Sequence, residues 1–354
     1  LVTVVLAEAD AVLDELDMDL VAALQLAPRA PVSALAEAVG SSASTVGRRL
    51  QRLQSERSVR VVGQVDWPLF SDAHPHHVWI TTAPGHSRRV ARRLAERSET
   101  QFTAVTSGGS DVYCVVHPSR RDRAADLLAD GIPSVEGVAA TRSDLVLRAV
   151  SRADSWRLDR LDPARSRALD PYTDTGENGA AEESRGPLSA QEALVVRMLH
   201  RDARAGSGEV ARALGVSQST AYRLVQSVLE RRMVRPRVEV EPALLGMGVE
   251  AVLALEVSPR EIGGVADALG AHPSARYVSV VAGTSSVIHH AVFRDEAELA
   301  DFLSADLGRL SGITGLRVSV VLDVLRRYWT AREGARLGPP GPSALLDGEP
   351  SAGE

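Results

Sequence analysis

Apolar residues recur at helical spacing near the start of the chain, and the same arrangement returns half a chain later. Leu13, Leu16, Leu20, Val21 and Leu24 form one stripe, Val32 to Ala36 opens a short second helix, and Val46, Leu50 and Leu53 fall at i, i+4 and i+7 of a third. Gly40 breaks the second helix, and Ser42 stands where it can cap the third. The second set runs from Ala193 to Leu199 and from Gly208 to Leu214, breaks at Gly215, is capped at Ser217, and turns Ala221, Val225 and Val228 inward. Three short helices with a tight glycine turn before the last predict a helix-turn-helix.

Behind each helical set the pattern changes to short β-rich runs separated by helices. His77 to Thr81 precedes a helix near Ser87 to Arg97, Phe102 to Val105 pairs with Val112 to Val116 across a glycine turn, a helix spans Arg121 to Leu128, and Leu145 to Val150 is a last strand. Residues 248–257, 260–270, 277–281, 287–293, 296–307 and 318–324 repeat the succession. The order β-α-β-β-α-β predicts a ferredoxin-like sandwich with helices on one face of its sheet, so the other face needs a partner.

Shifting the chain by about 175 residues superimposes it on itself. Gly40 falls on Gly215, Ser44-Thr45 on Ser219-Thr220, Arg48 on Arg223, Phe102 on Tyr277, Gly108 on Gly283, Gly137 on Gly312 and Arg142 on Arg317, with no gap. The fold expected is α+β: two tandem units, each a winged helix-turn-helix followed by a ferredoxin-like βαββαβ domain. The boundaries expected are 10–64 and 65–156 for copy one, 188–240 and 241–330 for copy two. Residues 157–187, rich in Asp, Pro, Gly and Ser, are expected to be a flexible linker, and 331–354, with Gly338 to Pro342, a disordered tail.

Composition narrows the function. All 40 basic residues are arginine, so a Walker-type phosphate loop and a lysine Schiff base are excluded. A single cysteine, Cys114, excludes an internal disulfide and a cysteine-rich zinc site. The apolar start Leu1 to Leu6 meets Glu8 and Asp10, too short for a span and without the basic lead of a signal peptide, which places the expected protein in the cytoplasm, associated with the nucleoid. The net charge of −6 argues at first against nucleic acid. Counted locally, residues 191–237 hold nine arginines against four acids, a net of +5, so the remainder carries −11. Residues 13–62 balance six arginines against six acids, with the acids gathered in the first helix. Copy two is therefore expected to supply more of any DNA affinity.

Val39-Gly40-Ser41-Ser42-Ala43-Ser44-Thr45-Val46-Gly47-Arg48-Arg49-Leu50 resembles the recognition-helix signature of the leucine-responsive and asparagine-operon regulator (Lrp/AsnC) family, and Leu214 to Arg223 is similar again. The usual member carries one unit; here there are two. The resemblance implies DNA binding by the helical halves and sensing of a small molecule, often an amino acid, by sandwich domains of the type called RAM that also self-associate. On copy one's recognition helix the outward candidates are Ser44, Thr45, Arg48, Arg49 and Arg52, and on copy two's they are Ser219, Thr220, Tyr222, Arg223 and Gln226. Effectors in the family sit near a Gly-x-x-Asp turn, which implies Gly108, Gly109, Ser110 and Asp111 with the edge residues Thr141 and Ser143; copy two has Gly283-Thr284-Ser285-Ser286 instead. A glycine pair lets backbone N–H groups approach a carboxylate, and Asp111 suits an ammonium. The plain alternative for Gly-Gly-Ser-Asp is a hairpin turn.

No catalytic residue, metal or cofactor is expected. The alternative is an enzyme, because siroheme decarboxylases resemble this family and also occur as tandem fusions; a DNA-free sensor that titrates other family members is a further one. His74-Pro75-His76-His77 and His289-His290 lack metal-site spacing and are expected to be surface or strand histidines, with only one of His289 and His290 facing a given side. Cys114 is expected to be a packed thiol. The uncovered sheet faces can pair within one chain as a pseudo-dimer or between chains.

Overall fold

The computed structural model describes residues 13–173 and 188–347. Copy one runs α1 (Glu15–Leu26), α2 (Val32–Val39), α3 (Ala43–Ser55), β1 (Val59–Val65), β2 (His76–Thr82), α4 (Ser87–Ala95), β3 (Thr100–Gly108), β4 (Val112–Val116), α5 (Arg121–Ala125) and β5 (Val138–Ser151). After the short helix α6 (Pro163–Ser166), copy two runs α7 (Ala190–Arg201), α8 (Ser207–Leu214), α9 (Gln218–Glu230), β6 (Val234–Val240), β7 (Val249–Val257), α10 (Ile262–Ala271), β8 (Ala275–Ala282), β9 (Val287–Phe293), α11 (Glu296–Asp301) and β10 (Ile313–Arg327). The strands β11 (Thr330–Glu333) and β12 (Arg336–Pro340) follow.

Contacts divide the chain into two units, and each unit contains both copies. The first, residues 13–70 with 157–240, holds the two helix-turn-helix domains. Asp14 accepts from the Asp17 N–H at the start of α1, and Ser189 forms a capping box with Glu192 at the start of α7. Helices α2 and α8 both stop at a glycine in the left-handed region, Gly40 (φ 67°) and Gly215 (φ 65°). Strands β1 and β6 pair antiparallel from Val59↔Val240 to Val65↔Val234, with Val62 opposite Arg237, its own repeat partner. The two wings thus join as one two-stranded ribbon about a local two-fold.

The second unit, residues 71–156 with 241–347, holds the two sandwiches. Strand β5 of copy one pairs with β8 of copy two, Leu145 opposite Ala282, while β10 of copy two pairs with β3 of copy one, Val320 opposite Ser107. The two seams are the same under the 175-residue shift. Because β10 also pairs with β7, the eight strands β3-β4-β2-β5-β8-β9-β7-β10 close into a ring, which removes the open edges that invite aggregation. Side chains alternate across the strands. Val78, Ile80, Val105, Val112 and Cys114 face copy one's helices, and Leu253, Leu255, Val278 and Ala291 face those of copy two. Trp79, Phe102, Tyr113, Val252, Ala254 and Ile288 point into the ring and form a third core to which both copies contribute. A side chain of this size gains about 1.5–3 kcal/mol on full burial, and neither copy can provide that for its inner face alone. The copies therefore pair within the chain.

Three expectations change. The proposed flexible linker 157–187 packs along residues 157–173: Leu169 is fully buried, the Leu158 N–H donates to Gln25, and Arg160 bonds Glu15 and Asp19 on α1. Its polar composition concealed these anchors; 174–187 lie outside the described residues. The proposed disordered tail is ordered through residue 347, because Trp329, Leu337, Leu345 and Leu346 are buried and the Arg326 guanidinium bonds the carbonyls of Ala95, Arg97 and Pro342. The four sequential domains are recombined into two units, since the wing ribbon and the sheet seams each join parts of the chain far apart in sequence.

Candidate functional site

Both recognition helices begin with the same network. The Thr45 N–H donates to Ser42 Oγ at 3.1 Å and the Thr220 N–H to Ser217 Oγ at 3.2 Å, while the hydroxyls of Ser44 with Thr45, and of Ser219 with Thr220, also bond their capping serines. Val46, Leu50 and Leu53 of α3 and Ala221, Val225 and Val228 of α9 are buried, as the pattern requires.

The outward faces differ. In copy one Arg49 is paired with Asp14 and with Asp17 (3.0 Å), and Arg52 is also paired with Asp17. Hydrogen bonding from Arg49 holds the Asp14 carboxyl below its ordinary range, and Asp14 and Asp17 raise Arg49 in turn. Two of the three proposed arginines are thus directed at α1, and Arg48, exposed with its Nε 3.4 Å from the Ser44 carbonyl, is the third. In copy two the equivalents of Arg49 and Arg52 are Leu224 and Ser227. Glu192, the equivalent of Asp17, bonds Ser227 at 3.0 Å and pairs with Arg231 beyond the helix end. Burial pushes the Glu192 carboxyl up, but bonds from Ser189 and Ser227 and the Arg231 charge leave it below its ordinary value. Tyr222 is 56% exposed, Arg223 is exposed without an ion pair among the described residues, and Gln226 is half-buried. On the preceding helix, Glu37 of copy one is replaced by an exposed Arg212.

Several of the nine arginines in residues 191–237 are engaged within the protein. Arg235 is buried and bidentate to Asp66 (3.0 and 2.9 Å), Arg237 bonds Gln64 and Glu239, and Arg204 bonds the carbonyls of Pro28 and Ala30. These arginines hold the two helical domains together, a role that counting charges cannot reveal.

The proposed effector residues lie at one end of the closed sheet, where both glycine turns meet the starts of β5 and β10. Gly108 has φ +98°, and a Cβ there would lie 2.4 Å from the Val318 carbonyl, so close backbone approach requires glycine. The Gly109 N–H donates to Val318 O at 2.9 Å, and Asp111 accepts from Thr82 N–H (2.7 Å) and Thr82 Oγ1. The donor assigned to a carboxylate and the acceptor assigned to an ammonium are thus both engaged within the protein, Ser110 is buried, and Thr141 and Ser143 pair with Ile80 and Val78. Ser286, where copy two lacks the aspartate, accepts from Val257 N–H at 3.2 Å, the same bond that Asp111 makes. The loss of that carboxylate therefore keeps the turn.

Residues absent from the expected set complete this end. Arg142 lies over the Trp79 ring (5.2 Å), Trp79 Nε1–H donates to Asp144 (2.6 Å), and Asp144 meets the Thr284 hydroxyl and the Ser285 N–H of the opposite copy. Arg317 pairs with Glu256 (2.9 Å) and bonds Ser285 (3.2 Å). Burial lowers the Arg142 pKa, and the Arg317 charge lowers it further. The repeat match between Arg142 and Arg317 was the available signal.

His77, His289 and His290 are strand residues and buried, while His74 and His76 are half-buried and His74 precedes the strand. His77 bonds Tyr113 and, across the copies, Ser279 (3.1 Å); burial lowers its pKa to about 3. His289 packs against Phe302 on the helix side, whereas His290 points into the ring toward Phe102 and Glu250. Cys114 is a packed thiol, raised to about 12 by burial. No group of three metal-ligating side chains occurs among the described residues, and no helix among them is long and apolar enough to cross a membrane.

Residues 13–54 match the AsnC-type helix-turn-helix domain, residues 77–156 and again 250–328 match the Lrp/AsnC ligand binding domain, and residues 194–237 match the IclR helix-turn-helix domain. The chain is 22% identical over 140 residues to the HTH-type transcriptional regulator LrpA of Pyrococcus horikoshii, covering 39% of this chain and 99% of that protein. It is 25% identical over 136 residues to the HTH-type transcriptional regulator AldR of Mycolicibacterium smegmatis, covering 37% and 80%. Each alignment spans about one repeat unit. Among solved structures, the siroheme decarboxylase NirDL covers 90% of this chain and 94% of its own with a TM-score of 0.56 at 12% identity, a likeness of fold alone.

Proposed function

The chain belongs to the Lrp/AsnC family, and from that premise we propose that it is a transcriptional regulator in which one polypeptide supplies both halves of a DNA-reading pair. The observation that carries this is the β1–β6 ribbon, which ties two capped recognition helices into one unit about a local two-fold. Two-fold readers bind half-sites related by the same symmetry. Because the halves here differ, the preferred operator is an asymmetric pair of half-sites. Ser44, Thr45, Arg48, Ser219, Thr220, Tyr222, Arg223 and Gln226 are the proposed base and phosphate contacts, with Arg49 and Arg52 held back by α1. Gel-shift titration of the full chain with DNA from upstream of its own gene tests this: a shift weakened by rising salt is expected, and no preference over random DNA would overturn it.

We further propose that an amino acid or related carboxylate acts at the end of the closed sheet where both turns meet. Arg142 and Arg317 are the cations for it there, and the Gly108–Asp111 turn, with Thr141 and Ser143, shapes the surroundings. Arg142→Ala is expected to abolish any effect of such a ligand on DNA binding. The protein is proposed not to be an enzyme and to act in the cytoplasm. His77 and His289 resist protonation in a sealed interior, which suits packing better than proton transfer. A Soret absorption band in the purified protein would instead favour a tetrapyrrole enzyme.

A further inference from the structure

The segment that joins the two copies is anchored on copy one's reading head and sets a cation beside it. The Leu158 N–H donates to Gln25 and Arg160 bonds Asp19 at 3.1 Å, both on α1. Helix α6 and the single-turn helix Arg167–Tyr172 then pack against α2, with Leu169 fully buried. Asp162 caps α6 by accepting from the Ala164 N–H at 2.7 Å. These anchors place Arg165 over the turn between α2 and α3: a Cβ on Gly40 would meet its guanidinium carbon at 2.9 Å, so the absence of a side chain there leaves the room that the guanidinium fills. Gly40 and Gly215 shape the two turns alike, with φ 67° and 65°, yet a Cβ on Gly215 would meet nothing within 4 Å. Copy two's turn has no such cation. Arg165 is exposed and has no ion pair among the described residues, since Asp162 meets only its backbone N–H, at 3.3 Å.

We propose that Arg165 is a phosphate contact of copy one's reading head, supplied by the joining segment where α1 holds Arg49 and Arg52. The proposal rests on the DNA-binding reading above. In a helix-turn-helix the N-terminal end of the second helix enters the major groove while the first helix crosses the DNA backbone, so a guanidinium at the junction of the two is placed for a phosphate and not for a base edge. Arginine grips phosphate through paired N–H groups, and because the segment is already anchored, little ordering is left to be done on binding. Such a contact carries no sequence preference and is read as salt dependence, each neutralised phosphate contributing about 0.9 to the slope of log K against log salt. A cation at the C-terminal end of α2 also suits the helix dipole, but that role alone would change thermal stability and leave the slope untouched.

Fluorescence anisotropy of the full chain over a range of salt, on DNA from upstream of its own gene and on random DNA, tests this with Arg165→Ala and Arg165→Lys, each checked by thermal melting. The alanine variant is expected to lose about one unit of slope on both DNAs and to keep the wild-type ratio of affinities between them. The lysine variant, which retains the charge, is expected to keep the wild-type slope. If Arg165→Ala does not fold, Arg165→Gln takes its place with the same expected loss. An alanine variant with the wild-type slope, whether or not it melts earlier, or a lysine variant that loses as much slope as alanine, would overturn the proposal. A wild-type chain that binds both DNAs equally would overturn the regulator reading instead and leave the slopes on random DNA to decide Arg165; one that binds neither would overturn both.

Discussion

The two recognition helices share a cap, a buried stripe and a preceding glycine, yet they direct their arginines differently. In copy one, Asp17 pairs with Arg49 and Arg52; in copy two, the equivalent Glu192 takes Ser227 and Arg231, and Arg48 and Arg223 are exposed at the equivalent place in both. Each head thus keeps one exposed arginine at the same place, Arg48 or Arg223, and only copy one carries two more, which its first helix holds. What decides this is the residue two or three turns into the recognition helix, not the number of arginines in the domain. Copy two's head also matches a different helix-turn-helix type, IclR rather than AsnC, consistent with halves that have diverged.

The largest effect expected from breaking the comparison lies inside the closed sheet, where only copy two has Glu250; copy one has Pro75 at that place. Glu250 is buried between His290 and Arg327, which outweigh burial and hold its carboxyl well below the ordinary range. Burial in turn keeps His290 neutral, so it donates a hydrogen bond to the carboxylate. Glu250→Ala removes one of the two carboxylates that Arg327 meets, the other being Glu241, and is expected to cost about 1.5–3 kcal/mol in urea unfolding, against less than about 1 kcal/mol for Pro75→Ala.

Next comes pH. His77, His117 and His289 are each lowered to about 3 by burial, whereas an unfolded histidine titrates near 6.5. The unfolded chain therefore takes up protons first as pH falls, so stability is full above about 6.5 and is lost between there and about 3. Each histidine contributes up to about 1.4 kcal/mol per pH unit in that window. His289→Cys, which installs the residue copy one has in Cys114, is expected to remove about a third of the combined slope measured by thermal unfolding across pH.

A smaller change equalises the reading heads. Asp17→Ala releases Arg52, while Asp14 still holds Arg49, and is expected to raise DNA affinity up to a few-fold at low salt and to steepen the salt dependence by about one unit of slope, at some cost in stability. Unchanged affinity with a lowered melting temperature would assign those pairs to packing alone.

The repeat made most of the fold legible, because the 2.0 and 3.6 periodicities and the 175-residue offset are local or self-referring signals. The packing partner was not legible. That β5 pairs with β8 of the other copy depends on which inner face meets Trp79 and Tyr113, and an open sheet edge looks the same whether its partner is in the same chain or another. In the tail, glycines and prolines outnumber the anchors Trp329 and Leu337 that fold it back, so composition hides its order. At the ligand end, Gly108-Gly109-Ser110-Asp111 was visible as a motif, but the bonds that occupy Gly109 and Asp111 come from Val318 and Thr82, far away in sequence. Arg142 stands between Thr141 and Ser143, and what sets it apart, the Trp79 ring beneath it and the charge of Arg317 beside it, comes from residues far away in sequence.

The unequal reading heads are tested most directly by fluorescence anisotropy of Arg223→Ala and Arg48→Ala chains against the same labelled operator at matched salt. Loss of an arginine contact to a base costs about 1–3 kcal/mol. Arg223→Ala is expected to weaken binding about tenfold or more and Arg48→Ala by less than about threefold. Equal losses from the two substitutions, or a larger one from Arg48→Ala, would contradict the account.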